Sequence, residues 1–276
     1  MTDAAASHER TVRKTDYDRY LAAMFAPAAV HPHLFALYAF NYEVAKIAES
    51  VREPIAGHIR LQWWREAVAE AYAGRARAHP VVVSLKELIA AHRPPQALFE
   101  QLIEARESDL EETPFADMAA LMTYADATSG HLMRLAARVL GAEESLDDLA
   151  ESAGIAYALI GLLRALPFHV SQKRLMLPLS ALRQAEISPD EIFANGAADR
   201  LPRLIGLIAE EAREKLAAAR RQVPRRLLPA LLPAALLPAY LRVITAKGFE
   251  PFRNASDVPP HRRQLAMIAA LLRGHL

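Results

Sequence analysis

Along most of the chain, apolar residues recur at intervals of three and four, which places them on one side of an α-helix rather than on alternating faces of a strand. Proline and glycine cut this pattern into helix-length pieces. The spacing predicts helices near 16–29, 33–50, 54–73, 80–92, 95–112, 115–140, 145–164, 199–222, 227–247 and 260–273. Pro32, Pro54, Pro80, Pro95 and Pro202 stand near proposed starts, where a missing N–H costs little. Gly74 and Gly141 stand just past proposed ends, where a left-handed cap suits glycine. Residues 165–181, with Pro167 and Pro178 around SQKRLML, resist the pattern and read as an extended excursion between helices. No repeat or linker divides the chain, so one domain is expected over 16–276, preceded by a polar, flexible N-terminus over 1–15.

The most apolar stretch is RRLLPALLPAALLPAYL, residues 225–241. Its uninterrupted apolar span, Leu227 to Leu241, is 15 residues with three prolines, against the roughly 20 that a membrane-spanning helix needs. It reads as a kinked, buried core helix. The alternative is a membrane-surface element with Arg225 and Arg226 at the lipid head groups.

Composition narrows the class. Of the 276 residues, 53 % are hydrophobic and 24 % charged, with 10 glycines, which fits an all-helical globule large enough for a sizeable core. There is no cysteine, so disulfides, thiolate metal sites and a cysteine nucleophile are excluded. The N-terminus is polar and carries Asp3, Glu9, Asp16 and Asp18, unlike a secretory or transit segment, so a cytoplasmic location is expected. The net charge of +1 hides an asymmetry: residues 1–199 are net −8 and residues 200–276 net +9. The basic C-terminal part therefore meets an acidic partner, an anionic membrane surface or the acidic part of its own fold. Nucleic acid is disfavoured, because the basic residues are not interleaved with aromatics in any recognisable module.

Four segments, HPHLFALYAFNYEVAKIAESV (31–51), LQWWREAVAEAYAG (61–74), YADATSGHL (124–132) and GIAYALIGLLRALPFHVSQKRLMLP (154–178), occur in the order and at the spacing of the landmarks of the squalene and phytoene synthase family, which the chain resembles. The resemblance implies an all-α isoprenoid-synthase fold with helices around a central apolar cavity. In catalytic members, two acid-rich motifs on facing helices hold magnesium ions that bind the diphosphate of a prenyl substrate. Magnesium is a hard cation and demands oxygen ligands.

Aligned on those motifs, this chain departs from them. The first, Asp-x-x-x-Asp, falls on Ala45 and Glu49, with Lys46 where a further acid often stands. The second, Leu-Arg-Asp-x-x-Glu-Asp, falls without a gap on Leu163, Arg164, Ala165, Leu166, Pro167, Phe168 and His169. The degenerate metal positions are thus Ala45, Glu49, Ala165, Phe168 and His169, and the amide side chains usual on the second helix are Ala158 and Gly161. No catalytic residue, no metal and no cofactor are expected. The altered segment is similar to that of the non-catalytic branch of the family that includes the mitochondrial complex I assembly factor. That likeness implies a role in assembling the respiratory NADH dehydrogenase, with respiratory subunits or assembly factors as partners and peripheral contact with the inner membrane. The rival reading is a prenyl-diphosphate transferase using magnesium, resting on Glu49 and the preserved cavity motifs; a lipid carrier is a third.

With the acids gone, Arg52, Arg164, Lys173 and Arg174 are expected to gather at the cavity mouth and bind the anionic head group of a lipid or prenyl ligand. His169 titrates near neutrality when unperturbed, yet beside Phe168 it reads as a packing or capping histidine, as does His131. Ser129 lacks the setting of a hydrolase nucleophile. Glu100, Glu104, Glu107 and Glu111 form a solvated acidic stripe, and Asp109 matches an acid often found in relatives. Of Trp63 and Trp64, one packs on the core and one at its edge, leaving Arg65 for a carboxylate or phosphate.

Overall fold

The computed structural model describes residues 3–111 and 113–276, and among them there are helices and turns but no strand. The first third holds α1 (Asp3–Thr15), α2 (Tyr17–Ala23), α3 (His31–Ala45), α4 (Ile47–Ser50), α5 (Pro54–Tyr72), α6 (Pro80–His92) and α7 (Gln96–Ala105). The middle holds α8 (Met118–Ala125), α9 (His131–Val139), α10 (Asp147–Arg164), α11 (Leu166–Ser171), α12 (Leu179–Gln184) and α13 (Pro189–Phe193). The last part holds α14 (Leu201–Ala218), α15 (Leu228–Leu231), α16 (Leu237–Ile244) and α17 (Pro260–Arg273).

Two helices that are apolar nearly all round lie in the middle, as such helices must. On α3, seven successive residues from Leu34 to Phe40 are buried, and α6, α9 and α1 pack around it. On α10, Ala153, Gly154, Ile155, Ala156, Leu159 and Ile160 are buried beneath α14, α9 and α16. Small residues let α10 approach closely. A Cβ on Gly154 would sit 2.4 Å from the Cα of Gly130, so backbone meets backbone there. Gly130 closes a π-helical turn, Asp126–Gly130, that joins α8 to α9 inside the expected helix 115–140. In the same way the expected helix 33–50 breaks at Lys46, and 95–112 gives α7 followed by a 3₁₀ turn at Arg106–Asp109, with Glu112 outside the described residues.

Three expectations change. Residues 3–15 are not a flexible lead: α1 lies along α3, with Ala5, His8 and Val12 buried at helical spacing and the His8 imidazole 3.1 Å from the Ser84 hydroxyl. The many charges between those positions hid the stripe, and Met1 and Thr2 lie outside the described residues. Residues 165–181 are not wholly extended, because Pro167 and Pro178 stand at or just before helix starts, where proline is tolerated, and yield α11 and α12. The apolar run 227–241 is three short pieces, α15, a 3₁₀ turn Leu232–Leu236 and α16, each with its proline in the first turn. It is core: Leu227, Leu228, Leu231, Leu232, Leu236 and Leu237 are all buried. Among the described residues no helix is long and apolar enough to cross a membrane.

Candidate functional site

Between α3 and α10 lies a cavity of about 250 Å³, closed by α2, α8, the π turn and the segment after α11. Its volume falls just below the roughly 300–1,000 Å³ of most small-molecule pockets. Asn41 and Ala45 enter from α3, Tyr157, Ala158 and Gly161 from α10, and Thr128 and Ser129 from the π turn. A π turn adds a residue to the helix and so turns a new side chain inward.

The polar end is built on Asp109, which is buried. Arg106 Nη1 reaches its Oδ2 at 3.1 Å, Arg174 Nη2 its Oδ1 at 3.0 Å, and the Tyr124 hydroxyl donates to Oδ1 at 2.8 Å. Arg106 also donates to the Tyr124 oxygen at 2.9 Å. Burial raises the Tyr124 phenol above its ordinary value, so it stays a donor. Burial opposes the Arg106 charge, but Tyr124 and Asp109 outweigh it and the guanidinium stays protonated. Two arginines share one carboxylate, which leaves this end with a net positive charge. Arg19 adds another cation at the opposite wall, held by Asp16 at 2.6 Å, donating to Ser129 Oγ at 3.3 Å and stacked 5.0 Å from the Tyr157 ring.

His169 faces this cluster. Burial, with the nearby Arg174 cation, pushes its pKa down to about 4, so the ring is neutral near pH 7. Its Nδ1 is buried without a hydrogen-bond partner, and so are Asn41 Oδ1 and Arg106 Nε. Unpaired buried polar atoms are uncommon in native proteins, and these three line one cavity. Their convergence marks the cavity as a place where a polar ligand or water would be held.

A match to the squalene/phytoene synthase family model runs over residues 12–265. The chain belongs to this family. The structure of a dehydrosqualene synthase in complex with ligand superposes with a TM-score of 0.86 at 15 % identity, over 98 % of this chain and 95 % of that one, which is the all-α isoprenoid-synthase fold. The mouse "NADH dehydrogenase (ubiquinone) complex I, assembly factor 6" is 31 % identical over 245 residues, 87 % of this chain and 74 % of the relative. The presqualene diphosphate synthase of Rhodopseudomonas palustris (strain ATCC BAA-98 / CGA009) is 27 % identical over 277 residues, 98 % of this chain and 96 % of the relative.

Family chemistry calls for divalent cations at this end of the cavity, so the donor set has to be measured against them. Magnesium wants an octahedron of oxygens at about 2.1 Å. Here Asp109 is taken up by two arginines and a tyrosine, Glu49 is an exposed carboxylate at the rim, and Ala45 and His169 supply no oxygen. Among the described residues no group of three His, Asp or Glu side chains converges to hold a metal ion. The residues present do not fit a cluster of hard cations.

The five degenerate metal positions do not stay together. Ala45, Glu49 and His169 line the cavity. Ala165 lines a separate groove beyond α10, and Phe168 is 44 % exposed. The helix carrying the second motif is interrupted here: α10 stops at Arg164, Ala165 lies between, and α11 begins at Leu166 with Pro167 in its first turn. Of the four basic residues expected at the mouth, only Arg174 lines the cavity. Arg52 and Lys173 are exposed and outside it. Arg164 points the other way, 3.1 Å from Asp257 and 3.9 Å from Asp18, with its guanidinium 3.7 Å from the Tyr240 ring centre. The expected gathering therefore fails for three of the four, and for Arg164 the reason is that a carboxylate and an aromatic face lie on the far side of α10.

Other sequence readings resolve locally. Trp64 is buried and Trp63 half-buried, and Arg65 pairs with Glu107. Lys46 turns from the cavity to Glu43 at 2.6 Å. His131 bonds Gln101 at 2.6 Å and the Asp126 carbonyl at 2.9 Å, a packing role, and Ser129 accepts from Arg19. Sequence reasoning missed Asn41, Arg19, Arg106 and Tyr124 as cavity residues and gave Asp109 no role beyond its match to an acid in relatives. The available signal was Arg106 and Asp109 three residues apart, a pair that one helical turn brings together.

Proposed function

We propose that this chain is a non-catalytic member of its family that acts in assembling the respiratory NADH dehydrogenase, with subunits or assembly factors of that complex as partners and peripheral contact with the membrane that holds it. The observation that carries this reading is the Asp109 cluster: where prenyl transfer would need oxygen donors free for metal, the buried carboxylate that lines the cavity is locked to Arg106, Arg174 and Tyr124. The mouse relative's name supplies the direction. On this reading no metal or other cofactor is needed, and the cavity takes an anionic head group, of a lipid or prenyl chain, directly on Arg174 and Arg106.

Deleting the gene and following NADH dehydrogenase on native gels tests the role. Loss of the assembled complex, restored by the wild-type chain and by Glu49→Ala alike, is the expected result. Normal assembly without the gene overturns it. Prenyl transfer, the second reading, draws on the presqualene diphosphate synthase likeness and on Glu49 at the cavity rim. Pyrophosphate release from farnesyl or geranylgeranyl diphosphate with magnesium, abolished by Glu49→Ala, would put that reading first.

A further inference from the structure

The positive charge of the C-terminal part is not spent within the fold. Some of it is: Arg263 binds Asp18 at 3.0 Å and Asp257 at 3.2 Å, and Arg213 pairs with Glu210. Elsewhere it is left over. A groove of about 530 Å³ between α16, α17 and the end of α14 is rimmed by Arg220, Arg242, Arg262 and Arg273 over a floor that includes Pro238 and Ala266. No acidic residue lines it, nor the adjoining groove that shares Arg220, Pro238 and Arg242. All four arginines are exposed, and among the described residues none of them forms an ion pair.

Beside this groove α17 turns apolar side chains outward. Leu265 is 62 % exposed, Ile268 41 % and Leu272 72 %, at the i, i+3, i+7 spacing of a single helix face. The opposite face holds the helix down, with Met267 and Ala270 buried and Arg263 tied to Asp18. The aliphatic stripe therefore lies along the surface, fixed parallel to it. Leu265 belongs to both features, since it also lines the arginine-rimmed groove.

We propose that this face, α17 with Arg220 and Arg242 from its neighbours, docks on an anionic lipid bilayer. Guanidinium groups pair with phosphate oxygens in a two-pronged geometry, and aliphatic side chains beside them enter the boundary between head groups and acyl chains. A bilayer offers both layers, anionic above and apolar below, in the order this face presents them. An acidic protein would match the arginines but leave three protruding aliphatics without the aromatic anchors typical of protein interfaces. Nucleic acid would find no Phe, Tyr or Trp side chain in the groove on which successive bases could stack. The proposal specifies the membrane contact in the functional reading above and rests on it. Vesicle binding needs no respiratory complex, so the two fail separately.

The test is flotation of the full chain with phosphatidylglycerol–phosphatidylcholine vesicles and with phosphatidylcholine vesicles alone. Binding is expected only to the anionic vesicles and should weaken as salt is raised. The double variant Arg262→Glu/Arg273→Glu should lower partitioning by at least about tenfold. Leu265→Asp/Leu272→Asp should lower it comparably, which a purely ionic contact would not do. All four positions are exposed, so unchanged melting temperatures establish that each variant is folded. No binding to anionic vesicles overturns the proposal. So does binding insensitive to the leucine changes, or tighter capture by polyglutamate or DNA than by lipid.

Discussion

Two buried aspartates flank α10, and their surroundings differ in one respect. Asp18 accepts from the Tyr240 hydroxyl at 2.7 Å, from Tyr157 at 3.3 Å and from Arg263 at 3.0 Å, with Arg164 at 3.9 Å. Asp109 accepts from Tyr124, Arg106 and Arg174. Each is a carboxylate met by two arginines and at least one tyrosine. Asp18, however, sits in a closed knot joining α2, α10, α16 and α17, positions up to 245 residues apart in the chain. Asp109 looks into a cavity where Asn41, His169 and Arg106 keep unpaired atoms. The same chemical group thus acts as a rivet on one side of the helix and as part of a binding wall on the other. What separates the roles is where the unpaired atoms lie: Arg164 Nε is unpaired beside Asp18 as well, but around Asp109 three such atoms converge on one cavity.

The largest effect should come from cutting the rivet. Asp18→Ala strands buried cations and should cost about 3–5 kcal/mol, the usual penalty for breaking a buried ionic network, read as a fall in denaturant midpoint. Asp18 and Asp109 giving the same loss would break the comparison.

Acid should unmask the cavity side. The folded-state pKa of His169 is about 4 against an ordinary 6.5, so between those values the unfolded chain holds the extra proton. The contribution is complete above about pH 6.5 and is lost as pH falls towards 4, about 3 kcal/mol in all. His8, His33, His79, His92 and His131 are also lowered, burial being the largest cause in each. The quantity to measure is therefore the difference between the pH–stability curves of the wild type and His169→Gln, which should open only below pH 6.5.

Asp109→Ala comes next. Removing it leaves Arg106 and Arg174 facing a cavity that water can enter, so the cost should be about 1–3 kcal/mol, below that of Asp18→Ala in the same denaturant titration. Smallest of all is the pair Ala165→Asp/Phe168→Glu, which restores two acids to the degenerate motif. Because Ala165 lines the outer groove and Phe168 is exposed, magnesium should neither raise the melting temperature nor bind by calorimetry. Tight magnesium binding would show that acids at these two positions can still reach the cavity.

Architecture was legible because helical periodicity and proline placement act locally: the bounds of α5, α6, α10 and α17 lie within a few residues of those the spacing predicts. The ordered family motifs carried the fold the rest of the way. What stayed hidden depends on through-space pairing. Nothing in the sequence says that Arg164 prefers Asp257 and the Tyr240 ring to the cavity, since those partners lie 93 and 76 residues on. The role of Asp109 stayed hidden for a related reason, because four glutamates around it at helical spacing drew attention from one acid that is buried. The N-terminal helix was missed because its charges outnumber the few buried positions that hold it.

The helix break at Ala165 also sets an order of events. Point changes that return acids to positions 165 and 168 alter only what solvent and the outer groove meet, so each alone is silent for the cavity. On the non-catalytic reading, metal chemistry there would need the main chain around Ala165 to take another course before side chains at 165 and 168 could reach the cavity. The shortage of oxygen donors at this end of the cavity is thus a matter of main-chain course as well as of composition, and no single substitution alters both.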